Sequence, residues 1–338
     1  MSTCPEVLAG GEHAPPLEGL PKVSAIIATG RQPAMLRPTL SSIAGQDYSG
    51  EIEVLVVWEE TQTADLSAIV MPENRGLRAL RNRRTPGLAG RRNTGILAAA
   101  GALIAFCDDT DEWLPGKVTA QVEAWRRTPE AIGIATGLCI ESSRGTAVRT
   151  GAEVVTFADL VTMREPESPS SSFLWRRADL LGRIGMVDEQ IGPSYGADFD
   201  MLLRASRLGG LRRVRTPLVL VHREPLSSTD ERWEASAAGL TYLLRKYPEF
   251  GRDRTGTAQI CAQIAYAHAV LGSRPRARHW ARYTIGRDRR QLRAYAALAV
   301  ACRLLPRSLL VRWANRSFRT VPGPGLPSPG GHLTPGAV

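Results

Sequence analysis

Three carboxylates, Asp108, Asp109 and Asp111, stand within four residues at the end of the apolar run ALIAF (102–106). A short run rich in Ile, Leu and Phe reads as a buried strand. Acids clustered where such a strand ends repel one another, and burial sharpens the repulsion. A hard divalent cation with oxygen ligands relieves it, and magnesium or manganese brings a substrate phosphate with it. Taken alone, the same acids also suit the cap of a helix opening near Pro115. A second acidic pair, Asp198 and Asp200, opens the segment ADFDMLLRASRLG. There they complement a helix dipole, and Asp200 can pair with Arg204 one turn on.

The flanking elements position these groups. VSAIIAT (23–29) and EIEVLVVW (51–58) read as strands, joined by a helix that Pro33 opens and that buries Leu36, Leu40 and Ile43. Strand, short helix, strand implies a parallel sheet. Residues 60–90 are polar and Arg-rich and read as loop, with a weak strand at 67–71. A helix is expected over 91–100, another over 115–127, and strands at 131–141, in SFLWRR, and in LRRVRTPLVLVHRE ending at His222. From about 230 to 320 the pattern is helical, with a hairpin turning at Gly272–Pro275.

The bulk properties narrow the classes. At 338 residues and 43% hydrophobic content the chain suits one large domain or two modest ones. Five scattered cysteines form no C-x-x-C pair, so neither zinc nor a disulfide framework is indicated, and a reducing cytoplasm is the simplest setting. The first residues lack a basic start followed by an apolar stretch, so no signal peptide is expected. No apolar run reaches the roughly 18 residues of a membrane span. No G-x-G-x-x-G follows a strand, which argues against a dinucleotide oxidoreductase. ATGRQP is also a poor match to the Gly-rich basic loop a nucleotidyltransferase wants after its first strand. The net charge of +10 is uneven: residues from 230 onward carry 18 Lys/Arg against 6 Asp/Glu. A basic helical region can be a solvated surface or can rest on an anionic membrane. No motif supports nucleic acid as a partner.

The order of the pieces resembles family 2 glycosyltransferases over about residues 22–225. The carrying segments are VSAIIATGRQP, VLVVWEET, RRNTGILAAAGALIAFCDDTDEWLPGK and GADFDMLLR. The resemblance implies an A-type nucleotide-sugar-binding fold: α/β, with a mostly parallel central sheet flanked by helices, here followed by an α-helical C-terminal region. The implied division is a catalytic domain over 21–225 and a basic helical region over 226–320. Pro/Gly-rich segments at 1–20 and 321–338 are expected to be unstructured.

The implied activity is metal-dependent, inverting transfer of a sugar from a nucleoside diphosphate donor to a hydroxyl of a glycan, lipid-linked or small-molecule acceptor. Such an enzyme would be cytoplasmic, with peripheral contact at the inner face of a membrane. Asp109 and Asp111 are the expected ligands of Mn2+ or Mg2+, joined by His222, with Asp108 near the ribose or the metal. Asp198 is the expected base, because a single well-placed carboxylate can take the acceptor proton. Thr29, Glu59, Arg92 and Asn93 fall where the family contacts the nucleotide, and an arginine fork suits a diphosphate. Trp58 can stack on a base or simply pack. Departures from the family pattern at Gly30, Trp58, Thr110 and Ala197 leave a non-catalytic scaffold on the same fold as the alternative.

Overall fold

The computed structural model describes residues 19–59, 66, 69–143, 145–163, 169–191, 196–223 and 230–316. The expected unstructured segments fall almost wholly outside these residues. The chain opens with β1 (Val23–Ala28), then a 3-10 turn at Pro33–Leu36, α1 (Arg37–Ala44) and β2 (Ile52–Trp58). Next come β3 (Arg75–Arg81), α2 (Leu88–Ala98), β4 (Leu103–Phe106), β5 (Glu112–Trp113) and α3 (Lys117–Arg127). They are followed by β6 (Gly133–Ser142), β7 (Gly145–Arg149), β8 (Val154–Val155), α4 (Phe157–Val161), β9 (Leu174–Arg176) and α5 (Arg177–Leu181). Finally α6 (Ala197–Leu208) and β10 (Leu211–Arg223) lead into five helices: α7 (Asp230–Lys246), α8 (Arg254–Val270), α9 (Arg274–Arg287), α10 (Leu292–Ala301) and α11 (Arg307–Arg316).

The strands form one mixed sheet in the order β3-β2-β1-β4-β9-β6-β10-β5. β3, β2, β1 and β4 are parallel neighbours, β9 runs antiparallel between β4 and β6, and β6 pairs parallel with β10. This is the expected α/β fold class with its helical C-terminal region. The apolar runs VSAIIA, IEVLVVW and LIAF become interior strands because both their faces are covered. Alternate residues serve opposite cores. Ile26, Leu55, Ile104 and Phe106 pack towards Ile96 of α2 and Leu203 of α6. Val23, Ala25, Val54 and Ala105 pack towards Leu40 of α1 and Val122 and Trp125 of α3. A third core of small residues, including Ala265, Ala277, Ala297 and Leu310, joins α8 to α11.

One expectation fails. Residues 75–81, read as loop, form edge strand β3, and Ile69–Met71 are not a strand. RGLRALR sets an arginine at every third position, so it lacks the strand period of two, and arginines on an edge strand discourage further pairing. Residues 67 and 68 lie outside the described residues. The hairpin strand β7, also unforeseen, extends β6 by antiparallel pairing.

Candidate active site

The acidic cluster sits where β4 stops, as the carboxyl ends of parallel strands in such sheets place ligand sites. Helix α2 delivers a cation to it. A Cβ on Gly95 would stand 2.5 Å from Ile26 Cγ2, so only glycine lets α2 lie this close to β1. That approach buries Arg92 to 2% exposure beneath the strand end. Its guanidinium packs over Phe106, 5.2 Å from the ring centre. One nitrogen donates to Asp198 Oδ1, and the other to Asp108 Oδ1 at 2.8 Å and to Ser170 Oγ at 2.6 Å. Thus one arginine fork joins the strand-end acid to the acid at the start of α6, 90 residues later in the chain. Burial alone would lower the Arg92 pKa, but Asp198 and Asp108 hold it above its ordinary value.

Asp108 is pushed up by desolvation, with Asp198 and Asp109 adding to that and Arg92 opposing it. Asp109 accepts from the Thr29 hydroxyl at 2.7 Å and faces Arg31 Nε at 3.3 Å. Asp111 lies deepest of the three, 3% exposed. It accepts from Ser171 Oγ at 2.6 Å and from the backbone N–H of His222. Burial first, and then Asp108, push its pKa up to about 8.

A short 3-10 turn, Ser170–Ser172, completes this end of the site, and all three serines are buried. Ser171 Oγ donates to Asp111 and accepts from the Asp108 backbone N–H at 3.0 Å, clamping both ends of the acidic loop. Ser170 and Ser171 were not anticipated. A serine run beside prolines carries a loop signal, and only the pairing of β9 beside β4 brings it under the acids.

Glu59 follows β2 and accepts from the Gly87 N–H at 2.8 Å and the Asn82 amide at 3.0 Å. Arg91 lies beside it, Nε 3.5 Å from Glu59, and donates to the Thr29 carbonyl at 2.9 Å. Arg91, the neighbour of the expected arginine, is therefore the one that bridges Thr29 and Glu59. Trp58 is buried and donates its indole N–H to the Arg31 carbonyl at 3.0 Å, so it packs. Asn93 is engaged elsewhere: its amide exchanges hydrogen bonds with the Val187 backbone and donates to Glu189 at 2.7 Å. The His222 ring stands between Glu112, at 2.8 Å, and Glu141, at 3.1 Å, so only its backbone reaches Asp111. Glu60, which the resemblance also allows beside Glu59 at the nucleotide, lies outside the described residues.

Among the described residues no three His, Cys, Asp or Glu side chains already converge as a closed metal cage. The donors near the strand end are nonetheless all hard carboxylate oxygens, and Asp111 is held against its own ionisation. That chemistry would suit magnesium or manganese, and Asp109 and Asp111 could hold such an ion, with Asp108 beside them.

The comparisons with known proteins agree with this frame. Residues 24–169 match the model of Glycosyl transferase family 2. Protein y4gI of Sinorhizobium fredii is 24% identical over 236 residues, 64% of this chain and 26% of its own length. A Campylobacter jejuni protein named GalNAc(5)-diNAcBac-PP-undecaprenol beta-1,3-glucosyltransferase is 27% identical over 108 residues, 31% of this chain and 34% of its own. This chain thus spans about a quarter to a third of the length of those relatives. Among solved structures, Staphylococcus aureus TarS 1-349 in complex with UDP-GlcNAc is similar with a TM-score of 0.55 and 16% identity, over 88% of this chain and 93% of that one. Mannosyltransferase PcManGT from Pyrobaculum calidifontis, in complex with GDP-Man and Mn2+, gives 0.52 and 16%, over 92% and 91%. At such identities the structural likeness speaks for the fold, which is the A-type glycosyltransferase fold. Residues 24–169 thus carry the likeness to Glycosyl transferase family 2, on a fold shared with solved glycosyltransferases.

Proposed function

We propose that the protein is a metal-dependent, inverting glycosyltransferase. It would move a sugar from a nucleoside diphosphate donor to a hydroxyl of a glycan, lipid-linked or small-molecule acceptor. The observation that carries this reading is the Arg92 fork, which ties Asp108 at the strand end to Asp198 at the helix start. Donor chemistry and proton transfer need two acidic groups held in fixed relation, and one buried fork sets that relation.

Asp109, Asp111 and Asp108 would hold magnesium or manganese. A hard cation bound there offsets the charge that builds on the leaving nucleoside diphosphate. Thr29, Glu59 and Arg91 line the side where the nucleoside would lie. Arg92 keeps Asp198 Oδ1 occupied, which leaves Oδ2 to take the acceptor proton as the hydroxyl oxygen attacks the anomeric carbon. Attack from the face opposite the diphosphate inverts that carbon. The UDP-GlcNAc and GDP-Man complexes of TarS and PcManGT support a nucleotide-sugar donor, and the Mn2+ of the latter supports the metal. The name of the Campylobacter relative supports a lipid-linked acceptor.

A donor screen following release of nucleoside diphosphate, with and without manganese, tests the proposal. Release from at least one donor should require the metal. Asp109→Ala should weaken metal-dependent donor binding, whereas Asp198→Ala should keep donor binding and lose transfer by about 10^3-fold. Metal-independent behaviour with every common donor, and no nucleotide binding by calorimetry, would return the chain to the scaffold reading.

A further inference from the structure

The C-terminal helices present a surface that contributes no residue to the acidic site described above. From Arg274 to Arg316 the chain holds twelve arginines and one acid, Asp288. Exposed apolar side chains stand among them. Leu304 is 76% exposed and Leu292 68%, and Leu305, Leu309 and Trp313 are exposed as well. More than half of the large exposed hydrophobic side chains among the described residues lie beyond position 280.

Their arrangement is specific. Every residue of the turn between α10 and α11, from Cys302 to Pro306, is exposed. Arg303 holds the left-handed conformation at φ 65°, unusual for a residue other than glycine, and the turn projects Leu304 and Leu305 from the bundle. On α11, Leu310 is buried in the small-residue core while Leu309 and Trp313, one turn apart, face outward beside exposed Arg312. On α9, Pro275, Arg278, His279, Arg282 and Tyr283 line an open hollow of about 530 Å³. Arg278 Nε donates to the Ala301 carbonyl at 3.3 Å, which sets this hollow beside the start of the exposed turn.

We propose that this face docks on the surface of an anionic lipid bilayer. Leu304, Leu305 and Trp313 would enter the boundary between headgroups and acyl chains, and the arginines, Arg278 and Arg282 in the hollow included, would take lipid phosphates. A bilayer surface answers both features at once, since it offers negative charge in the plane and an apolar layer just beneath. A second copy of this chain does not, because twelve arginines facing twelve would repel. Nucleic acid answers the arginines but gains nothing from exposed leucines. The inference stands apart from the sugar-transfer reading, since none of these residues belongs to the acidic site.

The test is flotation of the full chain with vesicles of neutral phosphatidylcholine and with vesicles containing about one third phosphatidylglycerol. The protein should float with the anionic vesicles only, less so at high salt, and Trp313 emission should shift to the blue. Leu304→Ser with Leu305→Ser should weaken binding by about tenfold or more. Arg278→Glu with Arg282→Glu should do the same while leaving nucleotide binding unchanged. Three results would each overturn the proposal: no flotation by the parent chain, equal flotation with neutral vesicles, or undiminished binding by both double variants. So would a concentration-dependent dimer broken by the leucine changes, or tighter binding to a single-stranded oligonucleotide than to the vesicles.

Discussion

Asp111 and Asp200 are both buried carboxylates, 3% and 0% exposed, and they are treated in opposite ways. Asp200, at the start of α6, is met by resident cations. Arg204 Nε donates to one oxygen at 2.8 Å, and Lys246 Nζ and the Tyr247 hydroxyl reach the other at 2.7 Å each. Asp111, in the loop after β4, receives only a serine hydroxyl and a backbone N–H among the described residues, and Asp108 and Asp109 beside it are acids. A buried charge is tolerated when paired, and otherwise the group resists ionising. Asp200 is therefore a structural joint between α6 and α7. Asp111, by contrast, is the acid where the proposed metal would relieve repulsion from Asp108 and Asp109.

Exchanging each acid for its amide should separate the two roles. Asp200→Asn leaves Lys246 with Asp188 alone and Arg204 with backbone carbonyls alone, and should cost about 3 kcal/mol of stability, read as a lowered melting temperature. Asp111→Asn should leave the metal-free protein as stable or more stable at pH 8, and should reduce metal-dependent transfer by about 10^2–10^3-fold. Equal loss of stability by both variants would erase the distinction.

The distinction also has a pH signature. The folded pKa of Asp111 is raised to about 8 from an ordinary value of 3.8, so between those values the folded chain holds a proton that the unfolded chain has lost. This group's contribution is therefore full below about pH 4 and is lost as pH rises through about 8. Manganese should oppose the loss, because it binds the ionised acid. The metal-induced rise in melting temperature should be larger at pH 8 than at pH 5. In Asp111→Asn that difference should shrink. A metal effect independent of pH would argue that Asp111 takes no part in binding.

Ser171→Ala is a gentler probe of the same clamp. It removes the hydroxyl donor from Asp111 and the acceptor for the Asp108 N–H. Transfer at limiting manganese should fall about tenfold and recover as metal is raised, since the acids themselves remain. Loss that no metal concentration recovers would mean that Ser171 only shapes the loop.

Different physical signals made these parts legible to different degrees. The interior strands were legible because burial on both faces writes continuous apolar runs such as VLVVW. The acids at 108–111 were legible because such charges are costly at a strand end. The Asp200–Arg204 pair showed in its spacing along one helix. Tyr247 and Lys246, which complete that joint, did not, since nothing local links them to a residue more than forty positions earlier. Ser171 was hidden for the same reason. Edge strand β3 was masked by its own arginines. Arg75, at its start, is buried and donates to the carbonyls of Gln46, Tyr48 and Gly50, so a residue type that signals surface is here a fastening. Asn93 had the right neighbours in sequence, yet its side chain faces Val187 and Glu189.

Lys117 extends the contrast to a cation. It is fully buried, with the Gln121 side-chain oxygen at 2.9 Å and the Trp113 ring centre at 4.0 Å as its partners, and burial pulls its pKa down to about 7. The sign is opposite to that of Asp111. Between about 7 and 10.5 the unfolded chain holds a proton that the folded chain lacks, so stability rises with pH across that window. The two groups together predict that the metal-free protein is least stable between about pH 7 and 8, where one limb ends and the other begins. Lys117→Met keeps the shape of the stem and removes the charge. It should flatten the alkaline limb and raise stability at pH 7 by about 1 kcal/mol or more, with the acid limb unchanged. Asp111→Asn should flatten the acid limb alone. Melting curves from pH 4 to 10 on the two variants and their double would show whether the limbs separate. A single variant that flattened both would mean the acidic loop and the Lys117 pocket behave as one coupled unit across α3 and β5.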